Sequence, residues 1–299
     1  MASEWRAHMA ELVAAGEMAQ TTARTYARGL EKFLDWAAQA DTARIGPQTI
    51  RAWKAHLSQE GRAPAGINVL LAGVKAFFTW AVAERGLAYN PTVGVRGAKA
   101  GGKARRHKRE PLTDHEVLRV LAQPDTSTAT GKRDLALLCL LAYTGARQVE
   151  VQRARLGDLR TDGQVRLDVV GKGRLDADER LYIVHQDALE ALYSWLAVHP
   201  RGDDPTAPLF CGLGNRNRGG PLSLSTIRYL VTGYYRMAGI RDRRKTSHSL
   251  RHSFVNNLIR RGVAPVKIRA ATRHKSLDTL MIYAGEVARD DDPAEAHVD

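Results

Sequence analysis

Cysteine is nearly absent from the 299 residues: Cys139 and Cys211 are the only two, each inside an apolar stretch. Two such residues make neither a disulfide framework nor, by themselves, a zinc site, and they read as small core residues. Long apolar runs are missing too. The longest, residues 135–143, has nine residues, less than half of the ~20 that a membrane-spanning helix needs. Acids are scarce beside bases, 32 against 45, which leaves a formal charge of +13 and a pI near 10.0. With 44% apolar and 26% charged residues the chain has material for a packed core, and bulk disorder is excluded. The first twenty residues, MASEWRAHMAELVAAGEMAQ, mix acids and a histidine among apolar residues and show no basic leader or apolar signal core. The expectation is a cytoplasmic protein with no membrane partner. A surplus of positive charge favours a polyanion, with nucleic acid the first candidate.

The length favours a division into about 100 and 200 residues. Up to Gly86 the apolar residues recur at helical spacing: Trp5, Met9, Leu12; Tyr26, Leu30, Phe33, Ala37; Ile50, Trp53, Leu57; Ile67, Leu70, Val74, Phe78. This predicts four amphipathic helices, with Thr21 or Thr22 and Pro47 as starts, and no strands. Residues 1–98 therefore read as a helical domain. Residues 99–110 carry Lys99, Lys103, Arg105, Arg106, Lys108 and Arg109 against Glu110 alone, the densest charge in the chain. They read as a basic linker suited to phosphate contacts, although a solvated hinge has the same composition.

Residues 111–299 form the second domain. Thr113 and Glu116 are spaced as a capping box. A helix is expected from Asp134 to Thr144, where Gly145 stops it. Alternating runs at 165–170 and 180–184 predict a hairpin around Gly171, Lys172 and Gly173. Helical spacing returns at 187–198 and again from Ser223 to about Tyr283, and the acidic stretch 290–299 is expected to be poorly ordered. The fold class is thus mainly α with a small antiparallel sheet.

Four local features carry possible chemistry: Thr144-Gly145-Ala146-Arg147-Gln148-Val149-Glu150, the hairpin Lys172, His248-Ser249-Leu250-Arg251-His252, and His274 with Tyr283 nine residues on. Each alone is weak. With ten histidines and 34 arginines, about one His-x-x-Arg arises by chance. Separately, Arg147 could be a helix-end charge beside Glu150, Lys172 a solvated turn, His274 a surface residue and Tyr283 a core aromatic.

Their order and setting nevertheless closely resemble the tyrosine recombinase, or phage integrase, family over nearly the whole chain. The resemblance implies a SAM-like helical core-binding domain, matched by residues 22–36 and 68–91, before an α+β catalytic domain, the two closing as a C-shaped clamp on duplex DNA. It implies a catalytic set of Arg147, Lys172, His248, Arg251, His274 and the nucleophile Tyr283. Glu150 would support Arg147, and His252 would be structural. The family's chemistry is site-specific strand exchange through a 3′-phosphotyrosyl bond and a Holliday junction, by a dimer on each site and a tetramer on two. Neither metal nor cofactor is expected, while accessory proteins remain candidate partners. No arm-binding segment is expected, because the core-binding pattern starts almost at Met1, and this favours a simple Xer-like or mobile-element type. A type IB topoisomerase-like enzyme and an inactive DNA-binding protein are the alternatives.

Arginine suits such a site because it stays charged and offers paired, planar donors to non-bridging phosphate oxygens. Tyrosine is a weak nucleophile at its ordinary pKa of about 10, so cations and a base, here His248, must help it lose its proton. Two positions depart from the family pattern. Thr272-Arg273 stands where Leu-Gly usually precedes the third catalytic His, here His274, and Ala146 replaces a larger apolar residue. Arg273 adds a candidate DNA contact and a less permissive backbone than glycine.

Overall fold

The structure, a computed structural model, describes residues 1–40, 44–99, 110–170, 177–274 and 276–291. Its contacts divide the chain into two compact units, Met1–Ala104 and Arg105–Asp299.

The first unit consists of α1 (Ala2–Ala14), α2 (Gln20–Gln39), α3 (Pro47–Gln59) and α4 (Pro64–Arg85). Pro47 and Pro64 open their helices where a missing N–H is harmless, and Gly86, in the left-handed region at φ 66°, closes α4. The apolar stripes meet in a core of Trp5, Phe33, Ile50, Trp53, Ile67, Val74 and Phe78. Two glycines bring α2 and α4 together: a Cβ on Gly29 would lie 2.4 Å from the Leu70 carbonyl oxygen, and one on Gly73 2.4 Å from that of Tyr26. By length and composition α4 could cross a membrane, but half of its apolar window is buried in this unit, as befits a core helix.

The second unit is built on α6 (Ala129–Thr144), which packs against α8 (Gln186–Leu196) and α10 (Ser249–Arg260). Before it lies α5 (Asp114–Leu121), whose capping box is made as expected: Thr113 Oγ1 accepts the Glu116 N–H and Glu116 accepts the Thr113 N–H. After it come α7 (Gln148–Arg153) and a three-stranded antiparallel sheet of β1 (Leu159–Arg160), β2 (Arg166–Val170) and β3 (Ala177–Tyr182), in the order β1-β2-β3. α9 (Leu224–Met237), α11 (Pro265–Thr272) and α12 (Leu277–Asp291) complete the unit. The class is mainly α with a small antiparallel sheet, as expected.

Several boundaries differ from the expectation. α6 begins at Ala129, because Thr128 Oγ1 accepts the Gly131 N–H and supplies the cap assigned to Asp134. Asp134 is instead interior, paired with Arg133 at 2.6 Å and accepting from Tyr234 Oη at 2.9 Å. β3 starts at Ala177 rather than at residue 180, since Glu179 pairs with Val169 across the ladder. The two-residue β1 was not foreseen, and α12 continues through Asp290 and Asp291, where order was not expected. Residues 292–299 lie outside the described residues.

Candidate active site

Gly145 ends α6 in the left-handed region at φ 61°, and the chain turns into α7 with Arg147 as the extended residue before it. This turn sets the first guanidinium. Glu150, three residues on, accepts the Arg147 backbone N–H on Oε2 and its Nη1 on Oε1, both at 2.7 Å. The Glu150 side chain is 1% exposed and that of Arg147 24%, so the carboxylate anchors from inside while the guanidinium keeps a face to solvent. Burial alone would raise the Glu150 carboxyl, but the Arg273 charge and the hydrogen bonds from Arg147 and Arg273 hold it below its ordinary value.

Arg251 sits in the first turn of α10, 7% exposed, and its Nη1 donates to the Gly145 carbonyl and its Nη2 to that of Thr272. Burial, then the charges of Arg147 and Arg273, pull its pKa down to about 10, which leaves it cationic at neutral pH. His274 follows α11, with Nε2 3.5 Å from Arg251 Nη2. Thr272 Oγ1 donates its one proton to the Ile268 carbonyl at 2.6 Å, so it must accept from His274 Nδ1, 2.7 Å away. Thr272 thereby selects the tautomer of His274 and leaves Nε2 facing Arg251.

Tyr283, on α12, is 4% exposed in a small cluster with Val255, Ile268 and Leu280. Its ring centre is 6.1 Å from that of His274 and 5.2 Å from that of His252. His248 is the residue at the head of α10, one turn before Arg251. Thus Arg147, Glu150, Arg251, His252 and His274 gather at the end of α6, the start of α10 and the end of α11, with Tyr283 facing them from the middle of α12. Lys172 lies outside the described residues, as do Lys103, Arg105, Arg106, Lys108 and Arg109; Lys99 is described and exposed. Among the described residues no group of three or more His, Cys, Asp or Glu is placed to hold a metal ion.

Arg273 takes a place unlike the DNA contact expected of it. Its backbone is left-handed at φ 57°, and its side chain is only 5% exposed, turned inward to Glu150 at 2.7 Å and Glu179 at 3.3 Å. Two buried-side carboxylates attract the guanidinium more strongly than solvent does.

The sequence reading also passed over a groove of about 600 Å³ beside His248, lined by Arg228, Arg236, Arg241, Arg243 and Lys245. The run Arg241-Asp242-Arg243-Arg244-Lys245, which ends two residues short of the His-x-x-Arg motif, was the available signal. Lys245 is tied to Glu116 at 2.6 Å and Arg244 to Asp242 at 2.8 Å, whereas Arg228, Arg241 and Arg243 are exposed.

Two fixed guanidiniums anchored on adjacent carbonyls, with a histidine and a tyrosine ring nearby, suit phosphoryl transfer to the phenol. The sequence pattern of the phage integrase family matches residues 110–288, and that of the phage integrase N-terminal SAM-like domain matches residues 7–85. The tyrosine recombinase XerC of Haemophilus ducreyi is 30% identical over 249 residues, 83% of this chain and 77% of that protein. XerC of Actinobacillus pleuropneumoniae is 28% identical over 89% of this chain and 84% of its own length. In fold, the chain resembles the XerH site-specific recombinase solved on its difH substrate, with a TM-score of 0.75 at 19% identity over 92% of this chain and 79% of that one. The chain belongs to the phage integrase family. It is accordingly a tyrosine recombinase, an enzyme that cleaves and rejoins DNA strands.

Proposed function

We propose that Tyr283 is the nucleophile of site-specific strand exchange on duplex DNA, with Arg147 and Arg251 binding the scissile phosphate. The observation that carries this reading is their common anchor. Arg147 Nη2 donates to the Arg273 carbonyl and Arg251 Nη2 to that of Thr272, so two arginines far apart in sequence meet at the residues that precede His274. Their remaining N–H groups are left for non-bridging phosphate oxygens, where negative charge grows as the phenol attacks.

Tyr283 Oη bonds to phosphorus as the bond to the 5′ oxygen breaks. His248 receives the phenolic proton, and Lys172 supplies one to the departing oxygen, a poor leaving group as an alkoxide. His274, its Nδ1–H held by Thr272, donates Nε2–H to a phosphate oxygen as the imidazolium. The phosphotyrosyl bond retains the energy of the broken one, and attack by the 5′ hydroxyl of another strand reverses the step without ATP. The exposed arginines of the groove at His248 neutralise flanking phosphates, as would the segment 99–110 that tethers the helical domain to the catalytic one.

A dimer on each site and a tetramer on two paired sites complete the reading. A lambda integrase tetramer solved on a Holliday junction shares the fold, with a TM-score of 0.69 at 19% identity. A Tn1549 transposon integrase does so with 0.70 at 16%. The chain would act in the cytoplasm, where its DNA is, as an Xer-like or mobile-element recombinase. Trapping on nicked duplexes, then sequencing the bound DNA and mapping the modified peptide, tests the reading: the adduct must sit on Tyr283. Exchange between two labelled sites separates a recombinase from an enzyme that only nicks and reseals.

A further inference from the structure

Position 273 has a backbone that favours glycine, and Arg273 is the one non-glycine residue with positive φ among the described residues. It caps α11 in the left-handed region, its N–H donating to the Arg269 carbonyl. A long charged side chain there is unexpected unless it has a task, and its contacts point inward. Nη2 is 2.7 Å from Glu150 Oε2, Nε is 3.4 Å from Glu150 Oε1 and 3.3 Å from Glu179 Oε2, and Nη1 donates to the Ala271 carbonyl at 2.6 Å. Nearly buried, this guanidinium spends its donors on partners inside the protein.

Glu150 thus carries two guanidiniums, Arg147 on Oε1 and Arg273 on Oε2. The distinction matters for charge. A carboxylate paired with Arg147 alone would cancel the positive charge that Arg147 is to present to a phosphate. With Arg273 present, Arg147, Arg251 and Arg273 outnumber Glu150 and Glu179 by one, so the cluster keeps a net positive charge that would vanish without Arg273, and Arg147 is aimed without being fully neutralised. The Arg273 carbonyl also takes Arg147 Nη2, so one residue braces Arg147 through backbone and side chain together. Its bridge to Glu179 joins this cluster to β3, the strand that follows the Lys172 segment.

We propose that Arg273 is a positioning residue for strand cleavage: it shares Glu150 with Arg147, so that Arg147 is oriented toward the scissile phosphate with its charge only partly compensated. The inference rests on the reading that Arg147 binds that phosphate, and it replaces a direct DNA contact by Arg273 with an indirect role.

The test is single-turnover cleavage by the full chain on a nicked duplex, with either an ordinary phosphodiester or an uncharged methylphosphonate at the scissile position. Arg273→Gly suits the left-handed backbone, and Arg273→Asn serves as a second variant in the same conformation. Each should slow phosphodiester cleavage about tenfold to hundredfold while DNA affinity stays within about twofold. On methylphosphonate DNA the penalty should disappear, because no phosphate charge remains for Arg147 to meet. Wild-type rates from both variants, equal penalties on both substrates, or a loss of affinity as large as the loss of rate would overturn the proposal. Phosphodiester cleavage by Arg147→Ala at the wild-type rate would instead overturn the reading beneath it.

Discussion

Four of the five tryptophans and three of the five phenylalanines lie in Met1–Ala104, whereas Arg105–Asp299 holds one tryptophan, Trp195, and fills its interior mainly with leucine, valine and alanine. The helical unit packs aromatic edge on face, with Phe33 5.2 Å from Trp53 and 6.2 Å from Phe78. Among its described residues the buried polar side chains are two threonines, Thr49 and Thr92. The catalytic unit buries Arg133, Asp134, Glu150 and Arg251. Buried charges lose hydration that their partners only partly restore, so they are a poor way to gain stability. Arg133 and Asp134 pair near the start of α6, but Glu150 and Arg251 lie in the candidate site, where this unit gives up packing for a field aimed at phosphate, while the helical unit is built for stiffness.

The sharpest break of this comparison is Tyr283→Phe. It removes only the phenolic oxygen, so covalent adducts on nicked DNA should vanish entirely while binding and the melting temperature persist; an adduct on any other residue would move the nucleophile elsewhere. Lys172→Ala comes next, with cleavage of an ordinary phosphodiester slowed by about 10²- to 10⁴-fold. Sulfur at the bridging 5′ position should restore that rate, since a thiolate leaves unprotonated. A mutant that sulfur does not rescue would place the general acid on another group.

Trp53→Ala should destabilise the helical unit by about 3–5 kcal/mol, because a fully buried aromatic leaves a cavity. Calorimetry should show the transition of this unit shift while that of the catalytic unit holds. Equal shifts in both would erase the contrast drawn between them. Thr128→Ala, which deletes the cap of α6, should cost about 1 kcal/mol and move the catalytic unit alone.

Much of this was legible in the residues. The four helices of the first unit follow from Trp5 to Phe78 at helical spacing, and the turn at Gly145 follows from a glycine after an apolar run. Asp134 misled as a helix start because an acid before apolar residues has the same local pattern whether it caps or is buried with Arg133. The contact of Arg273 with Glu150 spans 123 positions, and no local rule reports so distant a pair. Nor does spacing reveal that Thr272 Oγ1 orients the imidazole of His274, since that depends on one proton shared among three partners.

The depth of Glu150 has a consequence for ionic strength. Dissolved ions screen charges at the surface but hardly those whose side chains are 1% and 5% exposed, as Glu150 and Arg273 are. Contacts between exposed arginines and DNA release counterions and weaken steeply as salt is added. The two responses should therefore separate in one titration: salt empties the DNA complex, yet the molecules still bound cleave at an unchanged rate. Occupancy and chemistry are governed by different layers of the same electrostatic field.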